Sequence, residues 1–352
     1  MPRSDPKVTF GMIVLNGEPF IGPLLRTIYP FAYEIIVAEG ACPGAVATED
    51  GHSVDGTLDV LRRFCRDEDP QNKIQVVTRE GFWNEKTEES IAFAERATGD
   101  YLWVCAADEF NHPRDIERVI DFLRANPEVD MVSLPWVNFW GGFEYVVDGW
   151  NLHRVWRRTG IPRIFRWGPG YRYVEHRPDT VCDPVGRDLR GGAWVTSRTM
   201  AGLGVCTLHY QLVFPEQVSQ KIAYYGRVDW ADLTHSERWA AEHWFALRHP
   251  FHLHREQNLP SWLQRFQGEH PPEIARMIRA LADGTLDMRM RPTADIEALL
   301  ATWWYPPARA ALRALGPIYL RCQPALARLR GQVALKSRAR RLISAGTKLF
   351  KR

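Results

Sequence analysis

GDYLWVCAADEF, residues 99–110, is the stretch whose reading decides the fold. Leu102-Trp103-Val104-Cys105 and two alanines run directly into Asp108 and Glu109, with Gly99-Asp100 in front. A short apolar run without polar alternation reads as a strand covered on both faces in a parallel sheet. Open α/β sheets bind ligands beyond the carboxyl ends of such strands. Two adjacent carboxylates leaving that end repel each other and call for a cation, and oxygen ligands suit Mg²⁺ or Mn²⁺. A helix cap at Asp108 is the plainer alternative, although one carboxylate would suffice for it.

The flanking sequence repeats the strand–helix alternation. Upstream, Val8–Leu15 (VTFGMIVL) reads as a buried strand, followed by a helix with Ile21, Leu24, Leu25 and Ile28 on one face. Glu34–Ala38 is a second strand ending at Glu39, and Ser53–Phe64 (SVDGTLDVLRRF) opens a helix that Ser53 or Asp55 can cap. Lys73–Thr78 is a third strand and Glu85–Ala97 a helix. Downstream follow a helix near Pro113–Ala125 and a strand at Asp130–Trp136. This order implies right-handed crossovers and a doubly wound, mostly parallel α/β sheet flanked by helices. No GxGxxG follows the first strand and no GxxxxGK[ST] occurs, which argues against a dinucleotide oxidoreductase and a P-loop NTPase.

Three features occur in a fixed order: a first strand ending in Asn16-Gly17-Glu18, a second ending in Glu39, and Ser53-Val54-Asp55-Gly56-Thr57 opening a helix. With Ala97, Gly99, Asp100, Tyr101, Leu102, Asp108 and Glu109, they resemble the nucleotide-sugar half of family 2 glycosyltransferases with the GT-A fold. The resemblance covers roughly Val8 to Asp229. It implies a nucleotide-sugar donor, a metal held at Asp108 with Glu109, and Asn16, Glu18, Glu39 and Asp55 on the donor side. The chain departs from the family in having Ala106-Ala107-Asp108 where D-x-D is usual, and an insertion between Glu39 and Ser53.

In Pro162–Val181 (PRIFRWGPGYRYVEHRPDTV), the order R-x-F-R, G-x-R-Y and a reversed Glu175-His176 pair resembles a segment of a subset of that family. An inverting transfer, which the resemblance implies, needs a carboxylate to deprotonate the acceptor hydroxyl. Glu175 is the first candidate, with Asp179 and Asp183 behind it; a surface ion pair of Glu175 with Arg172 or Arg177 is the plainer reading. Leu208–Arg227 resembles the family's closing His-Tyr element, which implies that His209 completes the metal's ligand set or holds the diphosphate. Lys221, Tyr225 and Arg227 would then neutralise the leaving nucleoside diphosphate. Trp136, Trp140, Trp150, Trp156 and Trp167, with Phe139, Phe143 and Tyr145, read either as core or as an acceptor loop stacking on sugar faces. His243, His249, His252 and His254 read as packing or surface residues, since no carboxylate spacing suggests zinc.

The net charge of +3 hides an asymmetry. After Glu297 there are twelve Lys and Arg and no Asp or Glu, so the rest of the chain is net negative. Leu259–Leu281 and Thr293–Ala301 read as a helical C-terminal extension, and residues 303–352 as a basic amphipathic tail suited to an anionic membrane surface. A solvated tail, or a helix packed on the body, is the alternative. The tail has no recognisable nucleic-acid reading head, so no nucleic-acid partner is expected. The six scattered cysteines fit a reducing compartment, and the N-terminus has no apolar signal core, so a cytoplasmic, at most peripheral, protein is expected.

These readings divide the chain into a GT-A-like domain over 1–235, a helical extension over 236–302 and the tail. The expected activity is metal-dependent transfer of a sugar to a glycan or lipid-linked acceptor in cell-surface polysaccharide biosynthesis. A non-catalytic nucleotide-sugar or membrane-binding module is the alternative.

Overall fold

The computed structural model describes residues 5–150, 160–225, 237–253, 259–319 and 321–322. Trp156, Arg227, His254, the side chain of Tyr225 and the basic tail after residue 322 lie outside the described residues.

Strand β1 (Val8–Val14) runs parallel between β2 (Glu34–Glu39) and β4 (Tyr101–Cys105), and β3 (Ile74–Val77) continues the sheet beyond β2. On the other side, β9 (Ile161–Arg166) lies antiparallel between β4 and β6 (Met131–Leu134), and β12 (Trp194–Val195) pairs parallel with β6. The seven-stranded order is β12-β6-β9-β4-β1-β2-β3, so the sheet is mostly parallel, as its apolar runs imply.

Both faces of the sheet are covered. Phe10, Met12 and Trp103 share a core with helices α1 (Ile21–Ile28), α2 (Thr57–Asp67) and α4 (Pro113–Ala125), and Phe10 stacks on Trp103 at 5.1 Å. Ile36, Ala38, Leu102 and Val104 pack on the opposite side with Phe93 of helix α3 (Lys86–Ala94). Gly11 is required here, because a Cβ would lie 2.4 Å from a Phe93 ring carbon. Each large apolar side chain buried in this way contributes about 1.5–3 kcal/mol. From β1 the chain winds to β2 on one side and to β4 on the other, so the carboxyl ends of β1 and β4 form the switch point where a cleft opens.

A second sheet does not follow from the sequence pattern. β5 (Glu109–Phe110), β7 (Trp136–Trp140), β8 (Tyr145–Gly149), β13 (Thr207–Leu212) and β14 (Ser261–Arg265) lie in the order β14-β8-β7-β13-β5. β14 corrects the expected helix over Leu259–Leu281. Residues 261–265 pair antiparallel with β8, and the helix begins only at Pro272. Trp262 and Leu263 are adjacent and both fully buried, which a strand covered on both faces allows. The stretch 236–302 is therefore not a purely helical extension, since one of its segments completes a sheet of the preceding domain.

The start of the expected tail is docked. Residues 305–319 form a helix in which Arg309 donates to the Leu263 carbonyl and Arg313 to Asp148 and Gln264. Trp150 stacks on Tyr319 at 4.7 Å and donates to the Leu312 carbonyl. Among the described residues, no helix is long and apolar enough to cross a membrane.

Candidate active site

The cleft has a volume of about 620 Å³. Its floor is the end of β4 and its walls are the β1–α1 loop, α3, residues 160–163, residues 176–179 and the helix Pro215–Tyr225.

Asp108 lies in the turn that follows β4, after Ala106 and Ala107, and the second sheet brings His209 to it. In the β5–β13 pair His209 lies opposite Glu109, and the Tyr210 amide donates to the Asp108 carbonyl. His209 Nε2 stands 3.6 Å from Asp108 Oδ1. On its other side β13 pairs with β7 so that His209 faces Asn138, whose Oδ1 lies 3.0 Å from His209 Nδ1. Asn138 Oδ1 also accepts from Gln211 at 3.1 Å, so the oxygen of the amide is the atom toward the ring. The hydrogen-bond pattern thus assigns the proton to Nδ1 and leaves the Nε2 lone pair toward Asp108.

Lys221 completes the group. Its Nζ is 3.5 Å from Asp108 Oδ2 and donates to the Gln211 carbonyl at 2.9 Å. The helix carrying it is anchored by Gln217, whose side chain accepts from the Val213 and Phe214 amides and donates to the Tyr210 carbonyl. Burial works to raise the Asp108 carboxyl, but the Lys221 ammonium prevails and holds it well below the usual carboxylate range. Asp108 is therefore an anion, and its oxygen with the His209 nitrogen makes a donor pair that fits a divalent ion about 2.1 Å from each.

The neighbouring carboxylate does something else. Glu109 corrects the expectation of a second metal ligand: both its oxygens accept from Arg163, at 2.9 and 2.8 Å. Arg163 also donates to Asp179 at 2.6 Å and lies over the Trp136 ring at 4.8 Å. Asp179 in turn accepts from the Tyr173 hydroxyl. Burial raises the Asp179 carboxyl against the pull of Arg163. His176 adjoins this group, with Nδ1 3.0 Å from Ser90 Oγ. Burial, followed by Arg177, pushes its imidazole down to about 3, so it is neutral.

Glu175 is not brought into the cleft. It is exposed on β10 (Arg172–His176), which pairs with β11 (Asp179–Cys182), and a register shift after Tyr173 puts His176 on the cleft side. Asp183 accepts from the Val185 and Arg187 amides and shapes a turn. Asp179 is the sequence candidate for the base that does line the cleft.

The donor-side candidates mostly hold the loop together. Three consecutive amides of the β1–α1 loop are fixed by the S-x-D-G-T element: Asn16 by Ser53 Oγ, Gly17 by Thr57 Oγ1 and Glu18 by Asp55 Oδ2. The other Asp55 oxygen accepts from Thr57, so its carboxylate is a scaffold group. Asn16 has a left-handed backbone (φ 51°) and donates to the Val46 carbonyl while accepting from the Val54 amide. Glu39 is fully buried, accepting from the Ser53 amide at 2.8 Å with His52 at 2.7 Å. These contacts correct the expectation that Glu39 serves the donor side, because its oxygens anchor the inserted loop. Of this set, Asn16 and Glu18 line the cleft. Burial, then Asp55, raises the Glu18 carboxyl.

Of the aromatic cluster, Phe139, Trp140, Phe143, Tyr145 and Trp167 are buried core, and Trp136 is the described member that lines the cleft. Sequence reasoning missed Arg163 and Asn138, and also Lys86, Glu89 and Tyr224, which line the α3 side. Lys86 lies 4.3 Å over the Tyr224 ring. Glu89 is 2% exposed, and its Oε1 has no hydrogen-bond partner among the described residues. Burial raises its carboxyl well above the ordinary value despite Lys86. The only signal for it was a carboxylate on the apolar face of α3.

Residues 46–176 match the family model described as Glycosyl transferase family 2. The family 2 match takes in Asp55, Glu89, Asp108, Arg163 and His176 and ends before His209 and Lys221. No curated protein matches the chain. Solved structures that resemble it include the mannosyltransferase PcManGT from Pyrobaculum calidifontis in complex with GDP-Man and Mn²⁺. That structure has 20% identity over 93% of this chain and 81% of the other, with a TM-score of 0.41. S. aureus TarS 1-349 has 13% identity over 46% and 47%, with a TM-score of 0.33. Glucosyl-3-phosphoglycerate synthase from Mycobacterium tuberculosis, with Mn²⁺, UDP and phosphoglyceric acid, has 17% identity over 44% and 46%, with a TM-score of 0.28. The matched region spans about half the length of TarS 1-349.

Proposed function

We propose that this chain is a metal-dependent glycosyltransferase that moves a sugar from a nucleotide-sugar donor to a hydroxyl acceptor. The observation that carries the reading is the convergence of Asp108, His209 and Lys221 at the carboxyl end of β4, beside a segment matching family 2. Asp108 and His209 would hold Mg²⁺ or Mn²⁺. Such an ion, when bound, supplies positive charge for a departing diphosphate.

The protein's own groups divide the remaining work. Lys221 lies within reach of the same phosphates and neutralises charge that grows on the leaving group. Asn138 keeps the His209 ring oriented, and Arg163 holds Asp179 at the opposite wall. As the acceptor oxygen bonds to the anomeric carbon, the bond to the diphosphate breaks and the leaving group takes the electron pair. The hydroxyl proton passes to Asp179, whose raised basicity suits it for that role. Attack from the face opposite the diphosphate makes the transfer inverting. Trp136 offers a ring for the acceptor or donor sugar.

A glycan or lipid-linked acceptor, and a place in cell-surface polysaccharide synthesis at the inner membrane face, belong to the same proposal. Exposed Trp303, Leu315 and Ile318 at the start of the basic tail support membrane contact. The loss of a carboxylate at Ala106 favours the second reading, a module that binds nucleotide sugars without turnover. A thermal-shift screen of nucleotide sugars with and without Mn²⁺, followed by assay of nucleoside diphosphate release, separates the two. Binding with release supports the transferase, and binding without release under any acceptor supports the module.

A further inference from the structure

Outside the cleft, the segment 237–253 brings His249 back onto the adjacent pair Glu242-His243. Ala240–Trp244 is a π-helical turn closed by the Phe245 amide on the Ala240 carbonyl. Such turns are rare and occur often at functional sites. Leu247 then adopts a left-handed backbone (φ 44°), an uncommon state for a leucine, and the Arg248 amide bonds back to the Glu242 carbonyl at 2.8 Å. This reversal returns His249 onto Glu242 and His243. One ligand atom from each of the three lies within 4.8 Å of the other two.

The turn stands on a firm base. Trp244 is fully buried, donates to the Leu212 carbonyl, and its own carbonyl accepts from Arg291. The histidine rings lie 4.7 Å apart, and His249 Nε2 is 3.9 Å from Glu242 Oε2. Glu242 Oε1 accepts from Arg238 at 3.1 Å, which leaves Oε2 as the atom toward His249. His243 Nδ1 is buried with no hydrogen-bond partner among the described residues. A buried imidazole nitrogen without a partner is costly unless something binds it.

We propose that Glu242, His243 and His249 form a second metal site, of the zinc class, that clips the turn 240–249 shut. Two imidazoles and a carboxylate are a zinc ligand set with the fourth position left to water, and the nitrogen content disfavours Mg²⁺. Bonds of about 2.1 Å need ligand atoms about 3.4 Å apart, so side-chain rotation has to draw the three atoms, within 4.8 Å of one another here, together by up to about 1.4 Å. None of the three residues lines the cleft, so the site is independent of the transferase reading.

The test uses the full chain carrying Asp108→Asn and His209→Ala, so that the cleft cannot contribute. After chelator dialysis, zinc addition and gel filtration, elemental analysis is expected to find about one zinc per chain, and zinc is expected to raise the melting midpoint. Adding His243→Ala and His249→Ala is expected to abolish retention and the zinc response while leaving the metal-free midpoint in place. If those alanines impair folding, Glu242→Gln serves instead, with zinc affinity expected to fall by at least about 10–100-fold. Absence of retained zinc in the parent, or equal retention in parent and variant, overturns the proposal.

Discussion

Replacing Arg163 by methionine tests the buried ionic group that shapes the wall of the cleft. Arg163 is 12% exposed at its side chain, Glu109 4% and Asp179 9%. Three charge-assisted hydrogen bonds join them, two to Glu109 and one to Asp179. Methionine fills much of the volume and keeps contact with Trp136, so packing loss is small. Two carboxylates are then left buried without their cation, and breaking such a group by removing one partner costs about 3–5 kcal/mol. Urea denaturation at neutral pH should show Arg163→Met destabilised by that amount with an unchanged slope against denaturant. The deficit should shrink as acid protonates the stranded carboxylates. Adding Glu109→Gln and Asp179→Asn should restore most of it, because a neutral buried set no longer needs the guanidinium. A Met variant within about 1 kcal/mol of wild type at neutral pH, or a deficit that acid does not relieve, would refute the reasoning.

Glu89 gives a stability prediction of opposite sense. Its folded-state pKa is raised, so the unfolded chain ionises first and wild type loses stability as pH rises above about 4.3, by at most about 1.4 kcal/mol per pH unit. Glu89→Gln, which resembles the protonated side chain, should escape that loss, and its advantage over wild type in denaturant titrations should grow with pH until the folded-state carboxyl ionises. An advantage that does not change with pH would contradict the burial argument. Asn138→Ala removes the oxygen that orients His209 and should weaken Mn²⁺ binding in the cleft by about 10–100-fold, measured calorimetrically, with little change in fold. Unaltered affinity would show that the tautomer is set elsewhere.

The parallel core was readable because β1, β2 and β4 are buried on both faces, and such strands must be apolar at nearly every position. β14 was not, because five residues with adjacent buried Trp262 and Leu263 carry neither a strand's alternation nor enough length to exclude a helix. At the site, Asp108, His209 and Lys221 could be named from the order of short motifs, and the β5–β13 pairing brings them together. The misreadings came from carboxylates. Sequence adjacency joined Glu109 to Asp108, but Asp108 sits in a turn closed by the Glu109 amide on the Ala106 carbonyl, while Glu109 begins β5 and points to Arg163. Glu39 and Asp55 were in the right loops, but whether a carboxylate faces a ligand or a backbone amide depends on the loop's path. Asn138 was silent, and Arg163 was read only as part of the R-x-F-R motif, because their partners lie 71 and 54 residues away.

The most direct test of the transferase claim is nucleoside diphosphate release by wild type and by Asp108→Asn, across UDP- and GDP-sugars, with Mn²⁺ and with chelator. The prediction is Mn²⁺-dependent release by wild type with at least one donor, and a fall of about 10²–10³-fold in Asp108→Asn, the scale of losing one group that stabilises transition-state charge. Full activity in Asp108→Asn, or release by wild type that chelator does not reduce, would contradict it.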